Sequence, residues 1–239
     1  MKHLRRQHGF TIVELMIATV IFSIVLLVIA GCILQIGRLY YKGVTASRTQ
    51  EVARSVITDI AQSVQFNSGA PVASLTAAGV NNIALNSPAG PTTDTTNRAV
   101  CLTTIHYSYR FGQLRTDTSG HALARQIVPG GCNSTLAQNM ASQTVNGTEM
   151  LGENMRLSNL VVQPLAGNPN AYRVLVRVVY GENDVLCSQT LAAATCTSNT
   201  TNLTTSQLAQ ARDLQCKNIR TGTQFCAVSE LSTIVERRL

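Results

Sequence analysis

Polar and apolar positions divide the chain into two regimes. From Phe10 to Ile36 nearly every position is apolar and Glu14 is the one charged residue; from Leu15 to Gly37 there is no charge at all. That run is long enough to cross a hydrocarbon core as a helix. Beyond it, Val52, Val56, Ile60 and Val64 recur every four residues with Ala53, Ile57 and Ala61 beside them, while Arg48, Glu51, Arg54, Asp59 and Gln62 fall elsewhere. This is one apolar stripe on a helix. The two regimes join without a breaker, since the first proline is Pro71. The pattern therefore predicts a single helix from Phe10 to about Phe66, ending before Asn67-Ser68-Gly69 and roughly 85 Å long at 1.5 Å per residue. Gly31 is the weak point of its apolar half, costing about 1 kcal/mol relative to alanine.

After Phe66 the period changes. Residues 67–98 are rich in Ala, Asn, Thr, Pro and Gly and read as a long surface loop. Val100 and Leu102, then Ile105, Tyr107, Tyr109 and Phe111, alternate with polar residues as strands do, and Phe111-Gly112-Gln113 is placed to close a hairpin onto 122–128. Residues 133–150 read as another connection, with a short helix near Leu136–Met140. Leu157–Leu165 and Tyr172–Tyr180, separated by Ala166-Gly167-Asn168-Pro169-Asn170, form the clearest hairpin, with Tyr172, Val174, Val176 and Val178 on one face and Arg173 and Arg177 on the other. A helix-like stretch at Ser206–Leu214 and a final strand from Phe225 complete the pattern.

The chemistry of the N-terminus changes the meaning of the apolar run. The basic leader holds Lys2, Arg5 and Arg6 and leads directly to Gly9, with no apolar segment between. A secretory signal is cut beyond its apolar region; a cut after Gly9 would keep that region. Glu14 at its edge is an ionisable group in an apolar setting and hence a functional candidate, its natural partner the free amino group of a new N-terminal Phe10 in a neighbouring copy. Gly9-Phe10-Thr11-Ile12-Val13-Glu14-Leu15 resembles the prepilin processing motif of type IV pilins and type II secretion pseudopilins. The resemblance implies cleavage between Gly9 and Phe10 by a dedicated prepilin peptidase, N-methylation of Phe10, and use of Glu14 in assembly. It also implies partners: other pilin subunits through stem helices, an inner-membrane assembly platform, and the membrane itself.

Composition adds two constraints. The net charge of +7 falls to +4 once the leader's three basic residues are removed, and no Lys/Arg-rich run remains outside the leader. A solvated basic surface explains this better than a nucleic-acid stripe, although DNA or a surface ligand stays open as a partner. Of seven cysteines, Cys32 lies in the apolar run, and Cys101, Cys132, Cys187, Cys196, Cys216 and Cys226 lie beyond it. An even set in an exported domain implies disulfides, with fifteen connectivities; the preferred one is Cys101–Cys132 with nested Cys187–Cys226 and Cys196–Cys216.

Weaker candidates are read as structural. Gly181-Glu182-Asn183-Asp184 offers two carboxylates at a turn, short of a calcium ligand set. His106 and His121 lack partners at catalytic spacing, no cofactor is implied, and nothing indicates an enzyme. The sequons at Asn133, Asn146, Asn199 and Asn202 follow from a Thr/Asn-rich composition. The polar 187–226 loop resembles the disulfide-bounded region that pilins present at exposed surfaces.

The expected organisation is a cleaved leader (1–9), a membrane-spanning and assembly half-stem (10–37), an amphipathic half-stem (38–66) and a β-rich head (67–239). The fold class is α+β: a long N-terminal helix packed on an antiparallel sheet, stapled by disulfides. The head's size and the closing Phe225-Cys226-Ala227-Val228-Ser229-Glu230-Leu231 are most like W-type minor pilins and J-type minor pseudopilins. The expected location is the inner membrane in a single pass, head outside the cytoplasm, then a pilus or pseudopilus.

Overall fold

The computed structural model describes residues 11–66, 72–74, 97–102, 104–114, 121–129, 147–191, 196, 202–217 and 223–238. Its first element, α1, spans Ile12–Gln65 without interruption. The helix runs through Gly31, Gly37 and Gly43, each with open space where a side chain would stand. No proline interrupts it, so its backbone hydrogen bonds continue and the glycines only cost stability.

The chain divides into two compact units, Met1–Tyr41 and Lys42–Leu239. In the first, the described part is the apolar helix from Ile12 to Tyr41, with its large hydrophobic residues exposed. Its most apolar 18-residue window has a hydropathy of 3.0 and none of it is buried. Packing within the unit does not account for so much exposed aliphatic surface; a membrane or other helices would.

In the second unit, the remainder of α1 buries Thr45, Thr49, Ala53, Val56, Ile57, Ile60 and Val64. The stripe read from Val52 to Val64 is present, and it begins earlier than hydropathy indicates. Thr49 is fully buried, its hydroxyl donating to Thr45 O at 2.7 Å. Thr45 in turn donates to Lys42 O at 3.1 Å and to Gln224 O at 3.3 Å. With their hydroxyls satisfied, the two threonines pack as small apolar groups.

Among the described residues ten strands follow: β1 (Val72–Ser74), β2 (Asn97–Leu102), β3 (Ile105–Arg110), β4 (Leu123–Ile127), β5 (Thr148–Glu149), β6 (Met155–Leu165), β7 (Asn168–Tyr180), β8 (Leu186–Cys187), β9 (Gln215–Cys216) and β10 (Ala227–Glu236). They form three antiparallel sheets, ordered β1-β2-β3-β4-β5, β10-β7-β6 and β8-β9. A short helix α2 (Thr205–Gln210) and a 3-10 turn (Thr223–Phe225) complete the described elements. The α+β class is as expected, but the strands are shared among three sheets rather than one.

Both predicted hairpins form: β3 pairs β4 with Tyr107 opposite Arg125, and β6 pairs β7 with Val162 opposite Val174. Tyr172, Val174, Val176 and Val178 are buried on one face of β7 and Arg173 is exposed on the other. They meet Ile57, Ile60, Tyr107, Phe111 and Leu160 in the main core. Pro164, which cannot donate to a ladder, sits in β6, an edge strand.

Three readings are corrected. The stretch 67–98 is not loop throughout, because Val72–Ser74 pairs with β2, which begins at Asn97. The helix at Ser206–Leu214 is shorter: α2 stops at Gln210, and Ala211 is already extended. Thr204 starts it with a capping box, its side chain accepting from Gln207 N while the Gln207 side chain accepts from Thr204 N at 2.9 Å. The third correction, the cysteine pairing, is given below. The short helix near Leu136–Met140 lies outside the described residues.

A second, smaller core joins Val179, Val185, Leu186, Leu203, Leu208, Ala211, Leu214 and Cys226. Gly112 packs directly against this lobe. Its φ is +68, and a Cβ there would overlap the Leu208 carbonyl, so only glycine fits. Gly112 N donates to Leu157 O at 2.9 Å, which holds the β3–β4 connection against β6.

Candidate processing and assembly site

Gly9 and Phe10 lie outside the described residues; Thr11 and Glu14 stand at the start of α1. The two form a reciprocal cap. Glu14 N donates to Thr11 Oγ1 at 3.3 Å, while Thr11 N and Thr11 Oγ1 each lie 3.0 Å from Glu14 Oε2. This satisfies orphan donors of the first turn, and a carboxylate there also suits the positive end of the helix dipole. The Thr-x-x-Glu spacing signals this cap in the sequence itself, so Thr11 is the functional neighbour that reading Glu14 alone misses. Chemically, the result is a carboxylate whose orientation is set one residue from Phe10.

Further along the apolar helix, Thr19 Oγ1 donates to Met16 O at 2.9 Å and Ser23 Oγ to Thr19 O at 2.8 Å. The helix thus satisfies both hydroxyls internally, as a lipid or helix-packed environment requires. Cys32 is a free, exposed thiol on the same helix. Tyr40 and Tyr41 stand edge to face at 6.1 Å where the apolar run ends, the position of an interfacial aromatic belt.

In the second unit the cysteines pair as Cys187–Cys196 and Cys216–Cys226. The nested arrangement is therefore wrong. Pairing of β8 with β9 places Leu186 opposite Cys216 and Cys187 opposite Gln215; each cysteine then closes a loop of nine or ten residues with a near neighbour. Cys132 lies outside the described residues, and with it the Cys101–Cys132 pairing.

Asp213 ties the first stapled loop to the segment that precedes β9. Ser188 Oγ and Thr190 Oγ1 donate to its Oδ1 at 2.5 and 2.9 Å, and the Gln189 and Thr190 amides donate to Oδ2 at 2.8 and 3.0 Å. Partial burial pushes the Asp213 carboxyl up, but these hydrogen bonds together outweigh it and hold the pKa below the usual range.

The Glu182–Asp184 turn is organised around a protein cation. Arg156 is 2% exposed, and its guanidinium donates to Gly112 O at 3.2 Å, Asn183 Oδ1 at 3.0 Å and Gly181 O at 3.0 Å. Burial pulls its pKa down and the Glu182 charge raises it. Among the described residues no group of three His, Cys, Asp or Glu side chains could hold a metal ion. His121 Nδ1 lies 3.5 Å from Glu149 Oε2, and Glu149 also accepts the Ala122, Leu123, Met150 and Leu151 amides. His106 is buried in β3, and burial lowers its pKa, favouring the neutral imidazole. Glu149 thus holds the backbone at 122–123 and 150–151, and Arg156 holds the turn.

The sequence profile described as "Prokaryotic N-terminal methylation motif" matches residues 4–30. No curated protein and no solved structure matches the chain. The matched region includes the basic leader, Gly9, Phe10, the Thr11–Glu14 cap and most of the apolar helix. At its N-terminus the chain thus carries the methylation signal of type IV pilin and pseudopilin precursors.

Proposed function

We propose that this chain is a minor pilin subunit: it is inserted in the inner membrane as a prepilin, cut after Gly9, N-methylated at Phe10, and built into a type IV pilus at initiation or at the tip. The observation that carries this is the single helix Ile12–Gln65, exposed and apolar over its first part and buried in the core of a disulfide-stapled unit over its last turns. One element thereby serves as membrane anchor, as packing surface for other stems and as part of the head. The size of the head supports a minor rather than a major subunit. The protein is a structural component and not an enzyme. A minor pseudopilin of a type II secretion system uses the same motif and is the second reading.

In this reading Glu14, oriented by Thr11, attracts the Phe10 ammonium of a neighbouring subunit in a setting where opposite charges are screened far less than in water. The experiment is deletion of the gene followed by counting surface pili and assaying secretion in parallel. Loss of pili with secretion intact supports the pilus assignment; the reverse assigns the chain to a secretion pseudopilus; no change in either overturns both.

A further inference from the structure

The search narrows to β10, an edge of the three-stranded sheet, paired only with β7 among the described residues. Its register decides which backbone groups the ladder uses. Just past the strand, Arg237 N donates to Asn170 O at 2.9 Å. Backbone direction alternates along an antiparallel pair, so Leu231, Thr233 and Val235 turn their N–H and C=O groups toward β7. Ser232, Ile234 and Glu236 turn theirs away. Arg238 N, next in that outward set, donates to Gln65 O in the last turn of α1 at 2.9 Å.

Between this strand edge and α1 runs a groove of about 530 Å³, lined by Ile57, Ala61 and Gln62 from the helix and Ile234, Glu236 and Arg238 from the strand end. Ile234 is 64% exposed. A helix facing a strand edge that no further strand covers among the described residues is the geometry in which an extended peptide adds as a further strand: main-chain bonds supply affinity and alternate side chains supply specificity. The charges select the occupant. Arg237 and Arg238 outnumber Glu236 in the lining. The Arg237 guanidinium donates to Asn170 Oδ1 at 3.2 Å, so exposed Arg238 is the cation placed to meet an incoming chain.

We infer that this groove receives an extended segment of a different polypeptide, hydrogen-bonded to the main chain of Ile234 and Glu236 and carrying a carboxylate at the Arg238 end. Apolar side chains of the segment rest on Ile57 and Ala61, and the exposed Ile234 is covered. The surface exists whether or not the chain enters a pilus, so it stands apart from the assembly reading.

The test uses the full chain in detergent micelles and a synthetic peptide, acetyl-Thr-Val-Thr-Val-Thr-Asp, with amide hydrogen exchange read residue by residue. The acidic peptide should slow exchange at Ile234 and Glu236 several-fold. A version ending in lysine amide should do so less, and one N-methylated on alternate residues not at all. Arg238→Glu should reverse the preference between acidic and basic peptides. Ile234→Pro removes an outward N–H without touching the β7 ladder, and should abolish protection while leaving the unfolding midpoint within a few degrees. No slowing with millimolar acidic peptide, or equal slowing by the N-methylated one, overturns the inference. Protection that grows with protein concentration alone also overturns it, by assigning the groove to a second copy.

Discussion

The Tyr107 hydroxyl lies 2.6 Å from Asp59 Oδ2 and 2.7 Å from Ser63 Oγ, joining β3 to the amphipathic part of α1. Asp59 Oδ2 also faces Arg125 Nε of β4 at 3.2 Å. Burial, with Asp59 adding to it, drives the Tyr107 pKa far above its ordinary value, so the phenol stays protonated and serves as a donor. A hydrogen bond to a charged acceptor contributes about 1.5–3 kcal/mol. Tyr107→Phe should therefore destabilise the second unit by about that much and lower its thermal midpoint by roughly 4–10 °C. Near-UV circular dichroism of the full chain in detergent measures this, and an unchanged midpoint would show that the link contributes nothing.

Glu14 caps the first turn of α1 with Thr11, and substitutions can separate this from the assembly role proposed for it. Glu14→Leu and Glu14→Ala should leave processing intact, with the mature chain starting at Phe10 by mass spectrometry, yet deplete the protein from sheared pili. Thr11→Val breaks the cap, worth about 1 kcal/mol, and should give an intermediate depletion. Normal recovery of both Glu14 variants in sheared pili would refute the assembly role.

The disulfides make a direct chemical prediction. Non-reducing digestion and mass mapping should recover Cys187 with Cys196 and Cys216 with Cys226, and a Cys187–Cys226 peptide would refute the structure here. Because each loop is short, replacing one pair by serine should cost about 2–3 kcal/mol on the chain-entropy account.

Acid should weaken the stapled lobe through Asp213. Its folded pKa is lowered from the ordinary 3.8, so its contribution is fully present above that unfolded value and is lost as pH falls through the lower, folded one. Denaturant midpoints measured across this range should decline for the native chain. Asp213→Asn should be less stable at neutral pH and show a flatter decline, and a parallel decline in both proteins would count against Asp213 as the titrating group.

Gly112→Ala tests the close approach between the β3–β4 connection and α2. Positive φ and overlap with Leu208 make it one of the costlier single-methyl additions in the second unit, about 1–3 kcal/mol for the overpacking alone. A neutral effect would mean that α2 can shift away from the connection.

What the amino-acid order determined by itself is what depends on neighbours along the chain. Helix length follows from an unbroken period and the absence of proline before Pro71. The β6–β7 hairpin follows from alternation, and the processing signal from a basic leader set directly against Gly9. The Thr11–Glu14 cap belongs with these, since four consecutive residues contain it. Tertiary structure decided what depends on contacts between distant residues. Thr45 and Thr49 are polar by type yet buried, because the helix backbone and Gln224 satisfy their hydroxyls. The division of the strands into three sheets, and the reversal of the cysteine pairing, depend on register between segments far apart in sequence. Arg156 lies just outside the predicted strand Leu157–Leu165, and its burial against the carbonyls of Gly112 and Gly181 depends on two turns that meet only in the folded chain. Local periodicity reports which face of an element is apolar; which surface covers that face is set by packing, and packing placed the groove between α1 and β10.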